Sequence, residues 1–357
     1  MQDFRLKPYS AALTTLFADL NGQAQAGVPV FAGSPGNISK RKNQQGVEFW
    51  VRRFYDDREV QQEEYLGKVG EADDAARATQ EKIDEIKALR SDVQLLIRSG
   101  YQACDTKTYV TLATLHRNGL FAAGATLVGS HAFGILLNQL GFAGAAYKTM
   151  DVDVARREAL AISAPSKTFL DMLRESGIEF VEVPELDSRK PSSSFKERGK
   201  SRFRVDLLVP STDSEIRTVP VPELQAHATA LPYMAYLLGR TQMSTVLYRE
   251  GICPVRVPLP ERFAIHKLVV SRLRTNRGAE SEKDVQQASV LLAALGQTFP
   301  GEIAKAVSEL PVSARSHLKT AAGLVALRLE EFPRALEELN EAVDAKPQQK
   351  LEEFGES

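Results

Sequence analysis

Two acidic residues, Asp151 and Asp153, stand two positions apart in the segment 149–154, TMDVDV. Alternate residues of a strand point to the same side, so both carboxylates share one face, about 7 Å apart along the strand. Carboxylate oxygens are preferred ligands of hard divalent cations, and two like charges this close favour a cation between them. The pair is a candidate metal site; the alternative is a solvated edge strand with two acids that have no function.

A third acid, Asp206, interrupts the apolar segment 203–209, FRVDLLV. A segment this apolar predicts a strand that is buried on both faces. An unpaired carboxylate is costly to bury, so Asp206 requires a partner. Three partners remain open: a metal ion, an arginine such as Arg204 or Arg202, or water at an exposed strand end.

Gly129 and Ser130 follow the short apolar segment 126–128 and precede a helix predicted over 131–140. Glycine lets a phosphate approach the backbone closely, and the first turn of a helix offers unpaired N–H groups to an anion. The Ser130 hydroxyl adds one more donor. The turn is a candidate phosphate site, although Gly-Ser turns without a ligand are common.

The elements that would position these residues alternate between strand and helix signals. After the strand 126–128 and the helix 131–140, the sequence predicts a strand over 150–155, a helix over 158–176 and a strand over 203–209. Gly141 and Gly177 mark the ends of the two helices, and Pro210 marks the end of the strand 203–209. This order predicts an α/β core.

The flanking segments predict further pieces. Residues 1–72 form a small N-terminal appendage, with a helix over 4–20 and a β-hairpin that starts near Val47 and turns near Asp56–Asp57. Residues 73–118 form linking helices, the second over 105–118. The α/β core extends over 119–258, and irregular strands are predicted over 216–260. A helical domain follows over 259–346, and 347–357 form a flexible tail.

Composition narrows the class of protein. The chain has 357 residues, a formal net charge of −1 and two cysteines, Cys104 and Cys253. This composition is typical of an ordinary globular protein in a reducing cytoplasm, without a disulfide framework. The first residues do not resemble a signal peptide. The charge-free run 118–147 is interrupted by glycines and polar residues, so it is interpreted as buried core rather than a membrane span.

Together these residues resemble the minimal nucleotidyltransferase superfamily, which has the DNA polymerase β-like fold. Gly129, Ser130, Asp151, Asp153 and Asp206 match its glycine-serine turn, its Asp-x-Asp strand and its later acid. The resemblance implies an α/β (α+β) fold: a minimal nucleotidyltransferase core with a mixed sheet, a C-terminal helical domain and a small β-containing appendage.

The spacing between the turn and the acids is similar to that in bacterial AbiEii/MenA-like toxin nucleotidyltransferases. Those proteins carry Ser or Thr two residues before the first acid, and Thr149 matches that position. The arginine that often precedes it has no clear counterpart, and Lys148 is the candidate substitute. Thr149 is therefore assigned to the nucleotide site by resemblance.

A second region, 257–268, resembles the helical half of the same toxin-like group. Lys267, Ser271 and Arg274 fall on one stripe of a helix, at spacings i, i+4 and i+7. The resemblance implies that Lys267 and Ser271 face the nucleotide and that Asp284 orients Lys267. The alternative for Lys267 is a side chain that extends along the helix surface into solvent. His266 is interpreted as structural.

The resemblance implies a metal-dependent nucleotidyltransferase of the EC 2.7.7 type that moves NMP from an NTP to an acceptor hydroxyl. Asp151, Asp153 and Asp206 would bind Mg²⁺ or Mn²⁺, and Lys267 would offset triphosphate charge. The acceptor is RNA, in particular tRNA, or protein, and a toxin role with an antitoxin partner is a further expectation. Two alternatives stay open: a small-molecule acceptor of the antibiotic type, and a non-catalytic nucleotide-binding module.

Two basic stretches are candidate RNA contacts, because cations interleaved with aromatic residues hold RNA. One runs from Arg189–Lys190 through Lys196, Arg198, Lys200 and Arg202 to Arg204. The other joins Lys40–Lys42 to the segment from Trp50 to Tyr55. A solvated loop and an ordinary hairpin are the alternative interpretations.

Overall fold

The protein was examined as a computed structural model, which describes residues 6–144, 149–161, 167–184, 191–213, 215–274 and 278–345. The predicted contacts of Lys148, Arg189 and Lys190 and the predicted tail 347–357 lie outside these residues. The described chain divides into two compact units. The larger comprises Lys7–Pro232 and Thr241–Pro258, and the smaller contains Tyr233–Arg240 and the described residues from Leu259 onward.

The strands, numbered in chain order, are β1 (Lys7–Pro8), β2 (Asn37–Lys42), β3 (Glu48–Tyr55), β4 (Gln61–Lys68), β5 (Thr126–Val128), β6 (Phe142–Ala143), β7 (Asp151–Ala155), β8 (Phe180–Glu182), β9 (Ser194–Glu197), β10 (Arg204–Pro210), β11 (Arg217–Val221), β12 (Ala226–Leu231), β13 (Thr241–Tyr248) and β14 (Gly251–Pro258). The α-helices are α1 (Ala11–Ala26), α2 (Asp73–Arg98), α3 (Thr106–Arg117), α4 (Gly129–Leu140), α5 (Phe169–Arg174), α6 (Met234–Leu237), α7 (Pro260–Ser271), α8 (Ala279–Thr298), α9 (Glu302–Ser308), α10 (Val312–Val325) and α11 (Pro333–Asp344).

A mixed sheet carries the site of the larger unit. Its strands follow the order β11-β12-β10-β7-β5, and β9 pairs with β10 and with β8 at the side. The pairs β10–β7 and β10–β12 are parallel, whereas β5–β7, β9–β10 and β11–β12 are antiparallel. Helix α4 follows β5 directly and buries Phe133, Leu136 and Leu137. The predicted mixed sheet and α+β architecture are confirmed.

The predicted N-terminal hairpin is confirmed as part of a three-stranded antiparallel sheet, in the order β2-β3-β4. The turn between β3 and β4 is closed by Asp56, whose carboxylate accepts from the backbone N–H of Arg58 and Val60. Helix α2 covers the predicted range from Asp73, and its buried stripe includes Ile83, Ile86 and Val93. Helix α3 is also as predicted, with the Asp105 side chain accepting from the Thr108 N–H as its N-cap.

Three predicted elements were wrong in extent. The first helix begins at Ala11 rather than residue 4 and continues to Ala26, where Gly27 takes a left-handed conformation with φ 107°. Pro8 disfavours helix before it, which explains the late start. Within the predicted helix 158–176, only Phe169–Arg174 is helical among the described residues. Thr168 and Asp171 form a capping box there, which fixes the start of this short helix.

The third expectation, irregular strands over 216–260, was right about strands and wrong about their irregularity. Strands β13 and β14 form a regular antiparallel hairpin in which Tyr248 pairs with Gly251 and Thr245 with Pro254. Both strands of a two-stranded hairpin are edges, where proline is tolerated, so the prolines did not break the pairing.

The smaller unit is helical, as predicted from Pro260 onward. Helices α7 and α8 pack together, and α8 buries a long apolar face from Val285 to Leu295. Gly296 allows close packing in this unit, since an added Cβ would lie 2.7 Å from the Ala335 Cβ of α11. No helix among the described residues has both the length and the apolar character needed to cross a membrane.

Candidate active site

The two acidic strands lie side by side in register. In the parallel ladder between β7 and β10, Asp153 is the direct partner of Asp206, and Arg204 is the partner of Asp151. Alternation along each strand then places Asp151, Asp153 and Asp206 on one face of the sheet. The structure therefore brings together all three acids predicted to bind metal.

The same face is only partly covered. Along β10 the odd positions Val205, Leu207 and Val209 are buried, whereas Asp206 and Leu208 are of intermediate exposure. The expectation that β10 is buried on both faces was wrong. A mixed sheet that has one accessible face gives alternating burial, and the acids occupy that face.

Gly129 positions the turn against Asp153. Its φ of +68° lies in the left-handed region, which glycine adopts without strain. An added Cβ at this position would lie 1.9 Å from the Asp153 Oδ2. Pairing of Val128 with Asp153 in the β5–β7 ladder explains the approach. The backbone of the turn and one carboxylate of the acidic face are thus in contact, with room for glycine alone.

Asp206 is held from two sides. The Ser194 hydroxyl donates to its Oδ1 over 2.5 Å, and Ser194 is its ladder partner in β9. The Arg204 Nε lies 3.1 Å from its Oδ2 and 3.0 Å from the Asp151 Oδ1. The arginine partner considered from the sequence is present, and it bridges two acids.

The Asp206 carboxyl is electrostatically unusual. Burial raises its pKa above the ordinary value, and nearby Asp151 adds to the rise, while the Ser194 hydrogen bond and Arg204 oppose it. Only 15% of its side chain is exposed. A buried carboxylate beside further carboxylates favours either a proton or a cation nearby.

Ser130 and Thr149 line one cavity of the larger unit. The cavity has a volume of about 430 Å³, and Gln102, Asp105, His131 and Met150 are also among its lining residues. The Thr149 hydroxyl accepts from the Asp151 N–H over 3.3 Å. Ser130 lies in the first turn of α4, where backbone N–H groups are available to an anion. Two predicted nucleotide residues of this unit, Ser130 and Thr149, therefore share one concave surface, whereas Gly129 and the three acids are not among its lining residues.

In the smaller unit, Asp284 is 1% exposed and binds two cations. The Lys267 Nζ lies 2.6 Å from its Oδ1, and the Arg274 Nε lies 2.7 Å from its Oδ2. Lys267 lies on α7, whereas Arg274 follows the end of this helix at Ser271. The expectation that Arg274 continues the helix stripe was therefore wrong, although both cations reach the same carboxylate. Lys267 is 12% exposed, so it does not extend freely into solvent. The predicted contact of Lys267 with NTP stays a prediction.

Two other polar residues of α7, Ser271 and His266, are buried. Ser271 is buried and its hydroxyl donates to the Leu268 carbonyl, so its predicted contact with the nucleotide stays a prediction. His266 is buried as well, and burial, followed by the charge of Lys267, lowers its pKa to about 3. A neutral, enclosed imidazole agrees with its interpretation as a structural residue.

The basic stretch in β2 and β3 is largely neutralised. Arg41 and Arg53 share Glu63. Arg52 is 4% exposed, pairs with Glu64 and lies over the Phe31 and Phe54 rings. The interpretation as an ordinary hairpin fits this stretch better than a free cationic surface.

The second basic stretch, in the β9–β10 hairpin, is less neutralised than that in β2 and β3. Arg198 pairs with Glu179, whereas Lys196, Lys200 and Arg202 make no ion pair with an acid in the part of the chain that the structure describes. Lys196 is the ladder partner of Arg204, so it lies on the acidic face at its outer margin. Lys196 therefore borders the acidic face, and Lys200 and Arg202 lie in the connection between β9 and β10.

Within the described ranges, no group of three or more His, Cys, Asp or Glu side chains stands in a geometry that could hold a metal ion. The donor set still fits a hard cation, since three carboxylates share a face beside a glycine turn that a Cβ would fill. The Arg204 guanidinium lies between two of the carboxylates.

Sequence reasoning missed Ser194. Its residue type gave no signal, because a serine in the run Ser192–Ser194 looks like part of a loop. Only the pairing of β9 with β10 identifies it as a neighbour of Asp206.

Comparison with known proteins shows the family of this chain. The model of a protein family described as nucleotidyltransferase matches residues 107–312, which is more than half of the chain. No match was found among curated proteins. Among solved structures, the chain is similar to an antigenic nucleotidyltransferase-like protein from Paracoccidioides brasiliensis, at 17% identity and a TM-score of 0.35, covering 68% of this chain and 94% of that chain. The matched range contains the glycine-serine turn and all three acids, and the chain belongs to the nucleotidyltransferase family.

Proposed function

We propose that this protein transfers a nucleoside monophosphate from an NTP to an acceptor hydroxyl, with release of pyrophosphate. The observation that carries the proposal is the alignment of Asp153 with Asp206 on one sheet face, against the left-handed Gly129. Phosphoryl chemistry of this kind relies on positioning and charge stabilisation, and both are available at such a face.

Asp151, Asp153 and Asp206 would hold Mg²⁺ or Mn²⁺. Bound cations would stabilise the charge on the attacking and leaving oxygens of an in-line displacement. The backbone of Gly129 and Ser130 would bind the β- and γ-phosphates through N–H groups at the start of α4. Thr149 lies beside the first acid, where its hydroxyl orients the Asp151 backbone.

The acceptor we favour is RNA. The supporting observation is that Lys196, Lys200 and Arg202 have no acid as an ion-pair partner among the described residues. Cations on β9 and in its connection to the Asp206 strand suit a polyanion. A protein or a small-molecule acceptor would not need these cations. Toxin action, an antitoxin partner, a bacterial origin and a cytoplasmic location stay predictions from the resemblance.

The test is incubation of the purified protein with each α-³²P-labelled NTP, Mg²⁺ and total RNA, beside a protein lysate. Label in RNA that disappears in Asp151→Ala supports the proposal and names the nucleotide. Label in protein bands alone contradicts the RNA acceptor but not the transfer.

The control variant is Asp213→Ala, because Asp213 is exposed on a turn and pairs with Arg217. It should label as the wild type does. Absence of label from every acceptor, together with measurable NTP binding, contradicts transfer to macromolecules and directs the search to small-molecule acceptors or a binding module.

A further inference from the structure

Arg204 bridges two of the three acids on the acidic face. The β7–β10 register sets it opposite Asp151, and strand alternation sets it on the same side as Asp206, two residues further along β10. Its Nε lies 3.0 Å from one carboxylate and 3.1 Å from the other. One guanidinium thus satisfies oxygens from two of the three acids of the proposed cation site.

This arrangement conflicts with cation binding. A guanidinium has donors only, so it cannot ligate a metal ion. It repels a second cation, and it occupies the Asp151 Oδ1 and the Asp206 Oδ2 that a divalent ion would need. The other oxygen of Asp206 already accepts from Ser194. Both oxygens of the buried acid therefore have partners before a cation arrives.

We propose that Arg204 is a resident counter-ion that a divalent cation must displace, so that Arg204 sets the cation concentration at which the site fills. The inference rests on the proposed function, because it takes the three acids as the cation site. Displacement is feasible, since the Arg204 side chain is 48% exposed and can turn into solvent. Its ladder neighbour Lys196 carries the same charge and offers it no alternative acid.

The direct test measures Mn²⁺ binding without nucleotide, by the loss of the free-ion signal in electron paramagnetic resonance. Arg204→Met keeps most of the side-chain volume and removes the charge. The two partly exposed ion pairs of Arg204 compete with Mn²⁺ for the carboxylates and together lower the Mn²⁺ affinity of the wild type by about tenfold. Arg204→Met should therefore bind Mn²⁺ about tenfold more tightly than the wild type.

Arg198→Met is the matched control, because Arg198 is a neighbouring arginine paired with Glu179 away from the acids. Its Mn²⁺ affinity should equal that of the wild type. Equal affinity or weaker binding in Arg204→Met overturns the proposal, since the arginine would then be neutral or would organise the acids. Equal tightening in both variants also overturns it, as an effect of net charge.

The two failures can be told apart. If neither the wild type nor Arg204→Met binds Mn²⁺, the acids are not a cation site, and the proposed metal-dependent function fails with the inference. If both bind equally, only the inference fails. If Arg204→Met does not fold, Arg204→Gln takes its place.

The wild type provides an independent readout. The arginine Nε–H resonance of Arg204, assigned by its absence from Arg204→Gln, should shift during an Mg²⁺ titration, while that of Arg198 should not. An unchanged Arg204 resonance at saturating Mg²⁺ contradicts displacement.

Discussion

Asp153 and Asp206 are direct partners in the parallel ladder between β7 and β10, although they lie 53 positions apart in the sequence. Each carboxylate also has a second fixed neighbour: Gly129 at Asp153 and Ser194 at Asp206. The acids are therefore held by backbone pairing rather than by flexible loops, as a precise phosphoryl-transfer site requires.

Substitution of Gly129 by alanine should damage the site more than a left-handed conformation alone explains. The left-handed backbone costs a non-glycine residue about 1–2 kcal/mol, and the added Cβ would also displace the Asp153 carboxylate, which lies 1.9 Å from it. We expect loss of stability in chemical denaturation together with loss of NMP transfer.

Gly177→Ala is the control for Gly129→Ala. Gly177 has a φ of +85° but nothing within 4 Å of an added Cβ. It should lose similar backbone stability and keep transfer activity. Equal activity in the two alanine variants would contradict the role of the turn.

Substitution of Ser194 by alanine should move the acid limb of the pH–activity profile to higher pH. The pKa of Asp206 is already raised by burial, and the Ser194 hydrogen bond lowers it. Loss of that bond raises the pKa further, so the ionised form needed to bind a cation appears only at higher pH. The measurement is kcat/KM against pH.

Ser193→Ala serves as the comparison for Ser194→Ala, because the Ser193 hydroxyl meets the Thr229 hydroxyl instead of an acid. Its acid limb should coincide with that of the wild type. A shift toward lower pH in Ser194→Ala would show that the hydroxyl does not support the carboxylate.

Asp206→Asn should abolish transfer without loss of stability at neutral pH. A folded-state pKa raised above the unfolded value means that ionised Asp206 opposes folding above the folded-state pKa, and that this cost vanishes below the unfolded-state pKa. The amide removes the cost, so the variant should be at least as stable at pH 7–8. The difference should shrink as the pH falls.

Thermal unfolding at several pH values, beside the labelling assay, tests Asp206→Asn. The contrasting case is Asp213→Asn, where Arg217 first of all lowers the pKa of the exposed Asp213. Loss of the Asp213 charge should leave NMP transfer intact and remove a small stabilisation of the fold at neutral pH. Full activity of Asp206→Asn would refute the assignment of this acid.

Asp284→Ala should destabilise the smaller unit strongly. Asp284 is 1% exposed and pairs with Lys267, which is 12% exposed, so the substitution leaves an enclosed ammonium without its partner. Breaking a buried pair in this way costs about 3–5 kcal/mol. The free energy of unfolding in urea is the measurement.

Arg274→Ala removes the other cation of the same carboxylate. Arg274 is 40% exposed, so the lost pair is worth about 1 kcal/mol or less. Similar losses in Asp284→Ala and Arg274→Ala would mean that Lys267 reaches water when Asp284 is absent.

Charge reversal on the β9–β10 hairpin should weaken RNA binding. Lys200→Glu with Arg202→Glu changes two exposed cations beside the acidic face. We expect lower affinity and a smaller salt dependence, since fewer counterions are released from the RNA. Filter binding at several salt concentrations measures both.

The matched double variant is Arg77→Glu with Lys82→Glu on α2, at exposed positions of another element. It carries the same change in net charge and should bind RNA as the wild type does. Equal losses in the two double variants would argue for bulk charge rather than a specific surface.

Local signals determined much of this protein. The alternation around Asp151 predicted β7, the apolar triplet before Gly129 predicted β5, and the sequence order of turn, acid pair and third acid predicted the family. Helices α2 and α3 also follow from composition and from the Asp105 cap. These features depend on residues within a few positions of one another, where periodicity and capping chemistry suffice.

Which side chains become neighbours in space was decided by the tertiary structure alone. The bridge from Arg204 to Asp151, the support of Asp206 by Ser194 and the neutralisation of Arg41 and Arg53 by Glu63 all depend on strand register. A shift of one residue in any of these ladders would turn every side chain to the opposite face. The local pattern of burial decides which face a side chain takes, but which distant strands pair, and therefore which residues become neighbours, is decided by packing of the whole sheet.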